Sequence, residues 1–388
     1  MTLKHSIGYF WLLLMVGISE GGMHNLRELT GSIKLKGGTL NIGVKDSTSM
    51  TGEHPPREVT VKPFEIDIYP VTNWQYLHFI GQKKKFIPLS TSRGWSYVFK
   101  KDIMKDPNRI TDKSIPSQPW WSPVRGTTWE TPEGPGSSMK MDHPVVHVSF
   151  EEAKLYCKWK GKRLPTENEW EFAVRGGLRS KAFPWGDHYK PNRMNAWQGS
   201  FPLKNTESDG YYTTSPVDAF PPQNDFGLYD MIGNVWEWTD SVYEARGDRH
   251  RSRMAQGKGR KHVLKGGSFI DIRDGLHGLE DSSVLTLPVR CASRLGMYGN
   301  VTTNTIGFRC ASPIQVIATS TLAPPTGPRF HKLSETFEYK EQKRREEELR
   351  FKNDGEDLFD IEDGVDIEDL VSFSKHNLTL GNSKRDEL

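Results

Sequence analysis

The chain has 388 residues, a net charge of +3 and a hydrophobic content of 35%. That length allows one large domain or two ordinary ones, and so small a net charge supplies no field for nucleic acid or for a strongly acidic partner. With 36 Gly, 24 Pro, 12 Trp and 18 Phe, the composition predicts a loop-rich globular fold of modest regular structure, packed on large aromatic side chains.

In chain order, residues 1–22, "MTLKHSIGYFWLLLMVGISEGG", read as a secretory signal peptide. Lys4 precedes an apolar run from Ile7 to Ile18, small residues stand at Gly17 and Ser19, and the run is too short to span a bilayer. From Leu26 to Ile314 the sequence is dense in Trp, Gly and Pro and contains no internal repeat. Within it, "REVTVKPFEIDIYPVT" reads as a strand pair, with "EIDIYPV" alternating in and out. In "DHPVVHV", His143 and His147 lie four apart, but Pro144 and the valines make the stretch extended and turn the two rings away from each other.

Two helices carry their own start and stop signals. "SFEEAKLYCKWKG" opens on Ser149 with Glu152 three residues on, a capping box, and stops at Gly161. "TENEWEFAVRGG" repeats the device with Thr166 and Glu169 and stops at Gly176 and Gly177. In the first helix Ala153, Tyr156, Cys157 and Lys160 share a face, which points Cys157 inward. Beyond the helices, "MNAWQGSFPLKNTESDGYY" and "YDMIGNVWEWTD" carry Asn195, Asp209, Asp230 and Glu237 on kinked loops. Such loops can offer a hard cation six to eight oxygens without Cys or His. By composition alone they equally read as ordinary hydrogen-bonded carboxylates.

The loop Arg246 to His262 holds seven Lys or Arg against one acid and no aromatic residue, so it reads as a solvated loop rather than a nucleic-acid stripe. "KGGSFID", Lys265 to Asp271, follows, with a double glycine that permits close backbone approach and an ordinary carboxylate as its most reactive-looking group. After Ile314 come a Pro-rich linker, a charged stretch, and Asp354 to Asp369 with nine acids in sixteen residues. Residues 315–384 therefore read as a linker and disordered tail. The last four residues, Arg-Asp-Glu-Leu at 385–388, differ by one from the Lys-Asp-Glu-Leu retrieval signal. With the signal peptide they place the mature chain in the lumen of the endoplasmic reticulum, retained by the retrieval receptor.

That compartment permits disulfides, and the chain offers three cysteines, Cys157, Cys291 and Cys310, hence one internal pair at most and one leftover thiol. No Walker loop, dinucleotide-binding glycine pattern, His-Glu-x-x-His, Cys-x-x-Cys or Gly-x-Ser-x-Gly occurs, so the common routes to kinase, dehydrogenase, zinc enzyme and hydrolase find no support. Two sequons begin at Asn300 and Asn377.

"GWSYVF", "PWWSPV", "DHPVVHVSF", "GKRLPTENEWEFAVRGG", "FPWGD", "NAWQGSFP", "SPVDAFPPQNDFGLYDMIGNVWEWT", "GGSF" and "IGFRCA", in that order, resemble the sulfatase-modifying factor family, whose founding member is the formylglycine-generating enzyme. "PNRMNAWQGSFP" and "FPPQNDFGLYDMIGNVWEW" look most like the family's paralogue that lacks that activity. The resemblance implies a single α+β domain over residues 26–314, of low secondary-structure content and related to the C-type lectin fold. It implies two calcium ions. One would use the Asn195 side chain, the Ala196 carbonyl, Asp209 and the Tyr211 carbonyl; the other Asp230, the carbonyls of Gly233 and Val235, and Glu237. The second set has Asp230 where the active enzyme carries an amide. The resemblance also implies a Cys157–Cys310 disulfide, and leaves Cys291 a free, buried thiol because its family partner position holds Val174.

In the active enzyme the stretch matching "GGSFID" ends in a cysteine that, with a second one five residues on, binds copper(I) and oxidises a sulfatase cysteine with oxygen. Here that position is Asp271, and no cysteine occurs from Asp271 to Arg290. A carboxylate is a poor ligand for copper(I), which prefers thiolate, so copper is not expected. The reading that follows is a non-catalytic paralogue that binds sulfatases or the active enzyme and modulates sulfatase maturation, with dimerisation left open. Its rivals are a working oxidase that uses Cys291, and a calcium-dependent, lectin-like glycan binder.

Overall fold

A computed structural model describes residues 29–46, 53–83, 85–99, 107–113, 115, 120–244, 260–272 and 287–314. All belong to one compact unit, Met1–Ile314 with Ile367–Leu388; a second unit, Gln315–Asp366, lies outside the described residues. Also outside them are the expected signal peptide, the expected tail with its retrieval sequence, Asn377, and the basic loop up to residue 259.

The chain starts with two strands, β1 (Ser32–Leu35) and β2 (Gly38–Ile42), and returns along β3 (Arg57–Val61) and β4 (Phe64–Asp67). The expected pairing of the last two does not form. β3 pairs antiparallel with β2, and β4 with β1 and with β11 (Ala311–Pro313). The reason is a shared kink. Lys62 and Pro63 break one arm where Lys36 and Gly37 break the other, and Gly37 (φ +66°) lies so close that an added Cβ would stand 2.2 Å from the Val61 carbonyl. β4 does alternate as read, with Phe64 and Ile66 buried and Glu65 and Asp67 half-buried.

Four α-helices follow among the described residues: α1 (Asn73–Gln82), α2 (Leu89–Arg93), α3 (Phe150–Trp159) and α4 (Glu167–Arg175). Both expected capping boxes are present: Ser149 Oγ accepts from Glu152 N in α3, and Thr166 Oγ1 accepts from Glu169 N in α4. Gly176 closes α4 in the left-handed region at φ +56°. Lys160 drops out of the apolar face of α3, being its exposed C-cap, while Ala153, Tyr156 and Cys157 are buried. α1 carries the same device unread: Thr72 accepts from Gln75 N, and Gln75 bonds back to Thr72 N.

Between the first and last of these helices run β5 (Trp95–Phe99) and β6 (Trp121–Arg125), an antiparallel pair. The largest sheet has four strands in the order β10 (Ile306–Gly307), β7 (Trp236–Val242), β8 (Lys261–Lys265), β9 (Arg294–Tyr298), with β10 parallel to β7 and the rest antiparallel. Glu237 near the start of β7 pairs with Lys265 at the end of β8, so the chain leaving β8 emerges beside Trp236. The main core cluster lies against α4 and includes Phe64, Ile66, Trp170, Val174, Met231 and Cys291.

Cys157 on α3 is bonded to Cys310 beside β11, closing a sequence separation of 153. By chain entropy alone a loop of that length is worth about 5 kcal/mol at 25 °C. Replacing both cysteines by alanine is expected to lower the unfolding free energy by about 3–5 kcal/mol. A urea titration would show it, and a variant that matches the oxidised parent would count against this role.

Candidate functional site

β8 ends at Lys265 and the double glycine turns the chain. Gly266 (φ +100°) passes so near the Met231 carbonyl that a Cβ would stand 2.7 Å from it, and Gly267 has φ +79°. Only glycine takes both conformations without strain. The turn delivers Ser268, Phe269, Ile270 and Asp271 to the start of β7, all buried.

Asp271 is caged. Its Oδ2 accepts from Trp236 Nε1 at 2.8 Å, Ser268 N at 2.9 Å and Ser268 Oγ at 2.7 Å, and its Oδ1 from Leu287 N at 3.2 Å. Its own carbonyl accepts from Trp197 N at 3.0 Å. Burial pushes the Asp271 carboxyl up to about 6, against the lowering effect of the Ser268, Leu287 and Trp236 bonds. Beside it lies an aromatic cluster of Phe99, Trp197, Phe201 and Phe269 with Ile270, edged by Trp120 and Trp121. Residues 273–286, where the resemblance would place the second cysteine, lie outside the described residues.

Cys291 belongs to the other core cluster, packed with Trp170 and Val174. It is free and buried, and burial pushes its thiol up to about 12, although Arg175 pulls the other way. At neutral pH it is a thiol, not a thiolate, and so a poor nucleophile and metal ligand. Among the described residues, the groups around Asp271 are oxygen acceptors and N–H or O–H donors. They do not fit copper(I).

The two loops expected to hold calcium adjoin this turn: Trp197 N of the first bonds the Asp271 carbonyl, and the Asn234 carbonyl of the second accepts from Phe269 N. Asn195 is 1% exposed; its Nδ2 donates to Thr213 O at 2.7 Å, while its Oδ1 is buried without a partner. Asp209 Oδ2 accepts from Ala196 N and its Oδ1 from Tyr211 N, both at 3.1 Å, which folds the Ala196 and Tyr211 backbone around the carboxylate. Burial raises the Asp209 carboxyl. An orphaned amide oxygen beside a desolvated carboxylate fits a hard cation.

In the second loop Asp230 has φ +46°, and its Oδ2 accepts from Asn234 Nδ2 at 2.6 Å. Burial pushes its carboxyl up to about 8, and a cation bound there would favour its ionised form. Gly233 (φ +81°) abuts the Asn195 carbonyl, so the two loops touch. Glu237 differs from the rest: it accepts from Arg309 Nε and Trp170 Nε1 at 2.8 Å each through Oε2, and from Arg309 through Oε1. It reaches a cation only by giving up part of that pairing. Among the described residues no three His, Cys, Asp or Glu side chains converge on a metal-sized site, so an ion here depends on amide and main-chain oxygens.

His143 and His147 part company as expected. His143 Nδ1 bonds Thr214 Oγ1 at 2.9 Å, whereas His147 lies between Ser96 Oγ and the Pro132 carbonyl. A carbonyl only accepts, so His147 donates to Pro132 O from Nε2. Burial pushes its pKa down to about 4. Asn300 is half-buried in the turn after β9. Arg309, fully buried, is the residue the sequence reading passed over. A charge inside the apolar "IGFRCA" run was the signal, because a buried guanidinium demands a carboxylate.

The Asp271 carboxyl is raised above its unfolded value, near 3.9, so its ionisation costs stability at neutral pH and the cost is relieved as pH falls from about 6 towards about 4. The parent should therefore gain up to about 3 kcal/mol relative to Asp271→Asn over that range. Urea midpoints of both proteins at pH 7, 5.5 and 4.5 test this, and parallel curves would refute it.

The family described as Sulfatase-modifying factor enzyme 1-like domain matches residues 21–314. The chain is 45% identical over 289 residues to "Inactive C-alpha-formylglycine-generating enzyme 2" of Bos taurus, covering 74% of this chain and 89% of that one. Its identity to the Mus musculus protein of the same name is 44% over 282 residues, 72% and 85% of the two chains. To "Formylglycine-generating enzyme" of Mus musculus it is 37% over 292 residues, 73% and 75%. With a match of that extent over a mixed helix-and-sheet domain closed by Cys157–Cys310, the chain belongs to the sulfatase-modifying factor family.

Proposed function

We propose that this chain is a non-catalytic sulfatase-modifying factor that binds unfolded sulfatase segments or the active formylglycine-generating enzyme and modulates sulfatase maturation. The observation that carries this reading is Asp271. It stands where the active enzyme places a copper-binding cysteine, and its carboxylate is filled by Trp236, Ser268 and Leu287. Binding a peptide needs only shape and polar complementarity; oxidising it needs a redox metal. The names of the 45% and 44% identical relatives support the same reading.

The proposal includes two calcium ions at the Asn195 and Asp230 loops, residence in the lumen of the endoplasmic reticulum through the signal peptide and the Arg-Asp-Glu-Leu terminus, and glycan acceptors at Asn300 and Asn377. The ions would hold the two loops through their desolvated oxygens and take no part in redox chemistry. The orphaned Asn195 Oδ1 supports the first ion, and the approach of Gly233 to the Asn195 carbonyl sets the second loop against it.

Incubating the protein with a Cys-x-Pro-x-Arg peptide, copper, a thiol reductant and oxygen is expected to leave the peptide mass unchanged beside an active-enzyme control. Conversion of the cysteine to an aldehyde would overturn the non-catalytic reading. In parallel, the immobilised peptide or immobilised active enzyme is expected to retain the protein. Retention on neither would remove the binding role.

A further inference from the structure

Asn234 lies in the second calcium loop, between Gly233 and Val235, and holds Asn195 of the first loop and Asp230 of its own. Its backbone N donates to the Asn195 carbonyl at 2.8 Å, and its Oδ1 lies 3.5 Å from Asn195 Nδ2. Its Nδ2 donates to Asp230 Oδ2 at 2.6 Å and to Ser215 O at 3.1 Å, while Oδ1 accepts from Ser215 N at 3.0 Å. Its own carbonyl accepts from Phe269 N at 3.0 Å, two residues before the Asp271 cage. It does this at φ +58°, a conformation that asparagine tolerates and most residues do not.

The contacts leave little slack. A Cβ on neighbouring Gly233 would stand 2.5 Å from the Asn195 carbonyl, so the loops meet backbone to backbone. The amide of Asn195 is planar. With its Oδ1 held, its Nδ2 is fixed towards Thr213 and Asn234. The orientation of the Asn234 amide in turn engages Asp230 Oδ2 and leaves Oδ1 of that carboxylate for a cation.

We propose that Asn234 couples the two calcium loops, so that occupation of one raises the affinity of the other. This rests on the calcium reading above. Repulsion between two divalent ions opposes it, but the carboxylates of Asp209 and Asp230 stand at the two loops, and short fixed contacts transmit orientation without a charge term. Coupling between sites commonly amounts to about 5–150-fold in affinity. Asn234 is a positioning residue here, acting through Asn195 and Asp230.

The full-length protein, stripped with a chelator, would be titrated with calcium by calorimetry. Terbium(III) luminescence, sensitised by the nearby Trp and Tyr residues, would provide a second isotherm. Two ions taken up with a Hill coefficient clearly above one are expected. Asn234→Gly keeps the positive φ and removes the amide, and should give two independent sites of weaker affinity. Asn195→Ala should remove one ion and weaken the other by at least about fivefold.

Independent sites in the parent, or cooperativity that survives Asn234→Gly, would overturn the proposal while leaving calcium binding intact. If Asn234→Gly fails to fold, Asn195→Ala decides alone: an unchanged affinity at the remaining site refutes coupling. A parent that binds no calcium removes both the coupling and the calcium reading, but not the non-catalytic assignment.

Discussion

The buried guanidinium of Arg309 is the interaction on which the rest of the domain depends. It is fully buried, and it donates to the Asp67 and Ile68 carbonyls at the end of β4, to the Tyr229 and Asp230 carbonyls before β7, and to Glu237 on β7. The next residue, Cys310, carries the disulfide to α3. Glu237 passes the connection on to Trp170 of α4. One charge therefore joins the kinked hairpin, the four-stranded sheet, α3 and α4.

Burying an ion pair gains little net stability, because each ion costs several kcal/mol to desolvate. Removing one partner of such a pair, however, costs about 3–5 kcal/mol. The pair matters because other arrangements of these loops would leave it unsatisfied. In a fold with so little regular structure, many chain paths between strands are compatible with the same hydrophobic burial. A guanidinium whose donors all point at specific carbonyls and one carboxylate selects among them.

Local order was legible in the sequence, and long-range order was not. The helices α3 and α4 showed themselves because a capping box is written in four consecutive residues, and α1 carried the same signature in Thr72 and Gln75. The partners of β3 and β4 did not show, because adjacency in sequence suggested a hairpin and only the matched kinks at Gly37 and Pro63 send each strand to a different neighbour. The same division holds at the site. Asn195, Asp209 and Asp230 could be picked out as oxygen-bearing loop residues. The contact between their loops through Asn234 arises from residues 39 apart in the chain, and nothing in the local sequence announces it.

The Asp271 cage shows how a carboxylate can be buried without leaving a defect. A carboxylate placed in a dry cleft without donors would be too costly to keep. Here the donors exist: an indole N–H, a serine hydroxyl and two main-chain amides. They turn the position into a structural joint between the glycine turn, the start of β7 and the chain at Leu287. A cysteine returned to this position would offer those donors only a weak acceptor, leaving Trp236 Nε1 and Ser268 Oγ poorly paired. The surroundings of Asp271 are thus matched to a carboxylate, and a cysteine at this position meets a stability cost.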